Sequence, residues 1–130
     1  MKEQSVKSAL VVDDSAFMRK VLRGMLEKHG YVVVGEAPDG RQALSEYQRL
    51  RPTFVTMDIN MPDVTGTEAV RDILSFDTDA VIVMVTSIGT KDKVMEVLEA
   101  GARSYILKPF TEENLVGVLS QVLTEQNSGG

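Results

Sequence analysis

Short unbroken apolar runs alternate along this chain with longer stretches in which apolar residues recur every three or four positions. The first run, Ala9-Leu10-Val11-Val12, stops abruptly at Asp13-Asp14. A run with no polar interruption predicts a strand buried on both faces. Ser15 is placed to cap a helix, and Met18, Val21, Leu22, Met25 and Leu26 follow at helical spacing through Lys28, with Gly30 as the stop. The β-branched stretch Tyr31-Val32-Val33-Val34-Gly35-Glu36 predicts a second strand. Asp39-Gly40 predicts a turn, and Ala43, Leu44, Tyr47 and Leu50 a helical stripe ended by Pro52.

The alternation continues to the end. Phe54-Val55-Thr56-Met57 reads as a third buried strand carrying Asp58 at its C-terminal end, and Pro62 and Gly66 announce a loop before the next helix. That helix shows Ala69, Val70, Ile73 and Leu74 on one face. Ala80-Val81-Ile82-Val83-Met84-Val85 is a fourth strand closing at Thr86-Ser87, followed by a helix opened by Gly89 and Thr90, faced by Val94, Val97 and Leu98, and stopped near Gly101. Arg103-Ser104-Tyr105-Ile106-Leu107 is the fifth strand, ending at Lys108-Pro109. Thr111-Glu112-Glu113-Asn114 resembles a capped helix start, with Leu115, Val118, Leu119, Val122 and Leu123 as the buried face. Asn127-Ser128-Gly129-Gly130 lacks periodicity and is expected to fray.

Five strands alternating strictly with five helices imply an α/β fold: a parallel sheet with right-handed crossovers and helices on both faces. No composition break divides the 130 residues, so a single domain over 1–130 is expected, with an ordered core over about 8–124 between a polar N-terminal arm and a C-terminal tail. Apolar residues at 43% and charged residues at 25% fit a globular protein and exclude a disordered one. The absence of cysteine removes disulfides and thiolate metal sites. A net charge of −5 argues against direct nucleic-acid binding, which needs a basic face. No run reaches membrane-span length, and Met1-Lys2-Glu3-Gln4-Ser5 lacks the apolar core of a signal peptide. A cytoplasmic location without membrane insertion is the expectation.

In a parallel sheet every strand delivers its C-terminal end to one edge, where open α/β sheets bind ligands. The first strand brings Asp13 and Asp14 there, the third Asp58, the fourth Thr86 and Ser87, and the fifth Lys108. Three carboxylates in one crevice repel each other and call for a cation at neutral pH. With no His or Cys nearby, all-oxygen ligation suits Mg²⁺ or Mn²⁺. Mg²⁺ bound by one or two carboxylates usually completes its shell with water and phosphate oxygens. Lys108 adds a point charge for the same anion and Thr86 a hydroxyl donor. The set looks built for a phosphoryl group on or beside Asp58.

Asp13-Asp14 after an apolar strand, Met57-Asp58-Ile59-Asn60-Met61-Pro62, Thr86 after the fourth strand and Lys108-Pro109-Phe110 together resemble the receiver domain of two-component response regulators, over roughly residues 8 to 124. Stand-alone, chemotaxis-type regulators are the nearest in kind. The resemblance implies a flavodoxin-like, doubly wound (βα)5 fold with strand order 2-1-3-4-5. It implies that Asp58 is the phosphoacceptor, attacking phosphorus in a phosphohistidine of a partner histidine kinase to form an acyl phosphate. Asp14, Asp58 and the main-chain carbonyl of Asn60 would ligate Mg²⁺, and Asp13 would act mainly through a metal-bound water. Lys108 and Thr86 would contact phosphoryl oxygens, joined by the Ser87 backbone N–H. The switch would run from Thr86 to Tyr105, whose ring turns inward and alters the face of helix four, strand five and helix five.

Other residues read more plainly. His29, the only histidine, lies at a predicted helix C-terminus where the dipole favours it, and its isolation argues against a phosphohistidine donor or a histidine-metal protein. Met18 and Met25 read as core, Met61 and Met95 as adaptable surface contacts. Asp63 reads as loop chemistry. Lys91 and Lys93 open a helix against the dipole preference, as a solvated face or a basic spot for an acidic partner peptide.

Three function classes compete on these residues. The first is a phosphorylation-dependent signalling module that is no enzyme beyond its own phosphorylation and dephosphorylation. Its output is a downstream partner such as a flagellar switch component, with a phosphorelay shuttle and a receiver from a longer, DNA-binding regulator as the alternatives. The second is an aspartyl-nucleophile phosphatase of the haloacid-dehalogenase kind, which needs an acidic residue two positions after the nucleophile, where Asn60 stands. The third is a flavin binder, but Asp13-Asp14-Ser15-Ala16 is acidic where a flavin phosphate wants glycines and hydroxyls.

Overall fold

The computed structural model describes residues 6–128, so the expected N-terminal arm and the final Gly129-Gly130 lie outside the described residues. The elements are β1 (Ser8–Val12), α1 (Ala16–Lys28), β2 (Val32–Ala37), α2 (Gly40–Leu50), β3 (Phe54–Met57), α3 (Gly66–Phe76), β4 (Ile82–Thr86), α4 (Lys91–Ala100), β5 (Ser104–Leu107) and α5 (Glu112–Ser128). The strands form one parallel sheet in the order β2-β1-β3-β4-β5, the flavodoxin-like order.

Alternate residues of each strand serve two cores. Leu10, Val12, Val55, Met57, Ile82 and Met84 pack with Ala43 and Tyr47 of α2, Ala69, Val70 and Ile73 of α3 and Val97 of α4. On the opposite face Ala9, Val11, Phe54, Val83, Val85 and Ile106 pack with Leu22 and Leu26 of α1 and Leu115, Leu119, Val122 and Leu123 of α5. Both sides of the sheet are covered, so a polar side chain in β1, β3 or β4 is taken out of water, and Thr56 is the one such residue in their spans besides Ser8 and Thr86 at strand ends. This two-sided burial is the cause of the apolar runs. Each fully buried Leu or Ile side chain contributes about 2 kcal/mol relative to exposure.

Helix starts follow local chemistry. The Ser15 Oγ accepts the Met18 N–H at 3.1 Å, and a capping box joins Thr65 to Glu68 at the head of α3. Thr111 accepts the Asn114 N–H at 3.0 Å, as the sequence suggests. Asp39-Gly40 is not a free turn: Asp39 is the N-cap of α2, its Oδ1 accepting the Gln42 N–H at 2.8 Å, and Gly40 is the first helical residue. Two other expectations are corrected. Met61 is buried in the core beneath α3 and is no surface contact, because the loop after β3 folds back over the sheet edge. Asn127 and Ser128 continue α5 in place of a frayed tail, since Val122 and Leu123 anchor its last turns on the sheet. Met95 is exposed as expected, and Met18 and Met25 are partly buried against the core.

Candidate functional site

The ends of β1, β3, β4 and β5 meet at one edge. Asp58 continues β3 through its N–H, which donates to the Val12 carbonyl at 3.1 Å, and Asp13 continues β1 through an N–H to the Ala37 carbonyl at 3.0 Å. Lys108 is set by its N–H to the Thr86 carbonyl at 2.8 Å. Each side chain is therefore aimed by one more rung of the sheet ladder, which is the stiffest support the fold offers.

Asp13 and Asp58 are buried, Asp14 is exposed, and one carboxylate oxygen from each lies within 4.8 Å of the others. The Lys108 ammonium joins the cluster, donating to Asp13 Oδ2 at 2.8 Å and to Asp58 Oδ2 at 3.3 Å. Burial alone would lower the Lys108 pKa. The hydrogen bond to Asp13 and the charge of Asp58 overcome it and hold the ammonium above its ordinary value. Lys108 thus supplies part of the positive charge that three carboxylates demand. The remaining oxygens belong to hard anionic donors, and exposed Asp14 leaves the cluster open to water on one side. That donor set fits a hydrated Mg²⁺ or Mn²⁺, with Asp13, Asp14 and Asp58 as the side chains that would hold it.

The comparison with known proteins decides what kind of cluster this is. The family model described as the response regulator receiver domain matches residues 9–120. The chain belongs to the response regulator receiver family. The chemotaxis protein CheY of Thermotoga maritima is 42% identical over 89% of this chain and 97% of its own. A protein-glutamate methylesterase/protein-glutamine glutaminase of Alkalilimnicola ehrlichii is 44% identical over 88% of this chain but only 29% of its own, so receivers of this type also occur within longer enzymes. Among solved structures, the CheX-CheY-BeF3-Mg²⁺ complex from Borrelia burgdorferi matches with a TM-score of 0.87 and 30% identity over 89% of this chain and 88% of that one. This receiver is thus of the CheY type, consistent with phosphoacceptor signalling in a two-component system.

The other sequence-derived site residues fall around the cluster. The Asn60 N–H donates weakly to Asp58 Oδ1 at 3.4 Å, and the side chain is exposed. Thr86 is fully buried at the end of β4, where its Oγ1 accepts the Ile88 N–H at 3.2 Å, and Ser87 beside it is exposed. Tyr105 lies two strand positions before Leu107, partly exposed, on an open groove of about 550 Å³ also lined by Leu107, Phe110 and Val118. Asp63 adopts φ 64°, the left-handed conformation that Asp tolerates in a loop. His29 caps α1 and pairs with Glu112 at the head of α5, away from the acidic cluster, while Lys93 pairs with Glu96.

The sequence shows Gly66 only as a loop signal and does not single out Arg19, yet both support the site. Gly66 packs directly on the Asp58 carbonyl, and Arg19 Nη1 donates to the Asp13 carbonyl at 2.6 Å. Arg19 left a signal: a cation one turn into a helix opposes the dipole and asks for another reason to be there.

Proposed function

We propose that this receiver takes a phosphoryl group from a phosphohistidine of a histidine kinase onto Asp58 and thereby changes the affinity of its α4-β5-α5 face for a downstream partner. One Asp58 carboxylate oxygen forms the new P–O bond as the P–N bond of the donor breaks, leaving the histidine ring to its own protein. Mg²⁺, when bound, supplies charge neutralisation for the phosphoryl oxygens. Lys108 stands ready to exchange its hydrogen bond to Asp58 Oδ2 for one to the arriving oxygens, while keeping Asp13. Thr86 would supply a hydroxyl donor, and the Asn60 carbonyl would complete the oxygen set with Asp14 and Asp58, Asp13 acting mainly through a metal-bound water.

The observation that carries this reading is the ammonium of Lys108 held between Asp13 and Asp58 at the edge of the sheet. A metal-only acidic site has no need of that lysine, whereas an acceptor of a dianionic group does. For the output, exposed Tyr105 and Leu107 line an open groove with room for a partner segment, and α4 exposes Met95. Thr86 and Tyr105 would act as the two-state element. The partner is read as a flagellar switch component in chemotaxis or motility, the site of action as the cytoplasm, the chain as one domain over 1–130, and its chemistry as limited to its own aspartate.

Intact-protein mass after incubation with acetyl phosphate and Mg²⁺ tests it, beside Asp58→Asn and a chelator control. One labile phosphoryl adduct on the wild type alone is expected. An adduct of equal yield on Asp58→Asn, or none on a wild type that binds Mg²⁺, would overturn the assignment.

A further inference from the structure

Asp13 is fixed on every side. Its N–H donates to the Ala37 carbonyl at 3.0 Å, its Oδ1 accepts the Ser15 N–H at 2.9 Å, and its Oδ2 accepts from Lys108 at 2.8 Å. The fourth contact is the short bond from Arg19 Nη1 to its main-chain carbonyl, 2.6 Å. This carbonyl belongs to the peptide unit that joins Asp13 to Asp14. Because the unit is planar, fixing its oxygen fixes the direction in which the chain leaves for Asp14. Asp14 is exposed, so its carboxylate is placed by the backbone that carries it.

Arg19 is itself clamped. Its Nε donates to Glu36 Oε1 at 3.0 Å, and the other oxygen of Glu36 accepts from Arg23 Nε at 2.9 Å. Burial alone would raise the Glu36 carboxyl, but the two guanidiniums hold it below its usual value, so the clamp is ionised at neutral pH. Glu36 lies on β2 next to Ala37, the residue that takes the Asp13 N–H. Arg23 shares Glu36 but reaches Glu27 and the Val33 carbonyl, not the acidic pair.

We propose that Arg19 is a positioning residue for the metal pocket: through Glu36 it holds the Asp13–Asp14 peptide in the orientation that aims both carboxylates at one ion. This deepens the phosphoacceptor reading, which gives the pocket its purpose, but it is tested on Mg²⁺ alone. A merely structural ion pair between α1 and β2 would be served equally by Arg23, and that makes Arg23 the control.

Mg²⁺ binding is measured calorimetrically, and stability by urea denaturation, for wild type, Arg19→Met, Arg19→Lys and Arg23→Met. Arg19→Met is expected to weaken Mg²⁺ about tenfold, at the low end of what orienting groups contribute to metal affinity. Arg19→Lys, which restores a donor for the carbonyl, recovers most of the loss, and Arg23→Met leaves Mg²⁺ affinity unchanged while lowering stability. The Mg²⁺ concentration for half-maximal phosphorylation by acetyl phosphate rises in Arg19→Met, and the rate at saturating Mg²⁺ returns to the wild-type value. If Arg19→Met fails to fold, Glu36→Met removes the acceptor that clamps the same guanidinium and must weaken Mg²⁺ too. Unchanged Mg²⁺ affinity in Arg19→Met, or equal losses in Arg19→Met and Arg23→Met, overturns the inference and leaves the phosphoacceptor reading intact. A wild type that binds Mg²⁺ but takes no phosphoryl group removes that reading and leaves this inference standing. A wild type that binds no Mg²⁺ removes both.

Discussion

Gly66 stands against the carbonyl of Asp58 so closely that a Cβ on it would lie 2.2 Å from the oxygen and 2.6 Å from the Cα of Ile59. Both neighbours are backbone, and backbone in the ladder has nowhere to retreat. Gly66 also donates its N–H to the Ile59 carbonyl at 2.8 Å, so the first turn of α3 is stitched to the loop that follows Asp58. Gly66→Ala is expected to cost about 2 kcal/mol in urea denaturation, as overpacking typically does. It should also weaken Mg²⁺ binding and slow phosphorylation, because the yielding atoms are those that hold Asp58. An alanine variant with wild-type stability and Mg²⁺ affinity would show that the loop relaxes without moving the site.

Lys108 makes a pH-dependent prediction. Its folded pKa is raised above the ordinary 10.5, despite burial, by Asp13 and Asp58. A raised basic group stabilises the fold fully below its unfolded pKa and loses that contribution as pH rises through the folded one. Lys108→Met should therefore be less stable than wild type at pH 8, and the gap should close as pH rises through the raised Lys108 value, above its ordinary 10.5. The variant should also gain more stability from Mg²⁺ than the wild type does, since the ammonium no longer competes for the carboxylates. Equal Mg²⁺ responses would mean that ion and ammonium occupy separate sites.

Most of the fold was legible because burial on two faces leaves a two-part signature. Ala9–Val12 is apolar throughout and Phe54–Met57 is so but for Thr56, whereas Met18, Leu22 and Leu26 recur at helical spacing. Their order in the sheet was not in the periodicity at all and came with the family resemblance. The acidic cluster was legible because strand ends are residues that a sheet must bring together. What stayed hidden was support at right angles to the strands. Nothing local in Met61 says that its loop folds inward, and nothing in Gly66 says which backbone it meets. Arg19 lies six residues from the carbonyl it holds, across a strand-to-helix turn whose shape only the packed structure fixes.

Tyr47 and Asp77 offer a test in acid. The buried Tyr47 hydroxyl donates to Asp77 Oδ2 at 2.7 Å, tying α2 to the end of α3. That bond, with the backbone N–H of Asp79, holds the Asp77 carboxyl below its ordinary 3.8, while burial pushes the Tyr47 hydroxyl well above its usual range. A lowered carboxyl contributes stability above its unfolded pKa and loses it as pH falls through the folded value. Tyr47→Phe should cost about 1 kcal/mol at neutral pH, reduced from the usual charged hydrogen bond by the exposure of Asp77. The difference should shrink as pH falls below about 4. A gap that holds constant into strong acid would assign the loss to packing of the ring and not to the carboxylate.

Thr56 carries the opposite expectation, a gain. It lies in the middle of β3, fully buried between the two cores, and its Oγ1 has no hydrogen-bond partner among the described residues. An unpaired hydroxyl taken out of water costs about 1–3 kcal/mol, whereas valine has nearly the same shape and no such need. Its ladder neighbours, Val11 on β1 and Val83 on β4, are already valines, so the new methyl joins an apolar row. Thr56→Val should stabilise the protein by about 1 kcal/mol and raise Tm by about 4 °C for a chain of this size. Phosphorylation should be unaffected, because the Asp58 N–H to Val12 carbonyl rung remains in place. A fall in Tm would instead show that the hydroxyl is paired in solution, with a buried water as the partner to look for. A rise in Tm with slower phosphorylation would show that a polar group two residues before Asp58 is kept for the chemistry at the cost of the fold.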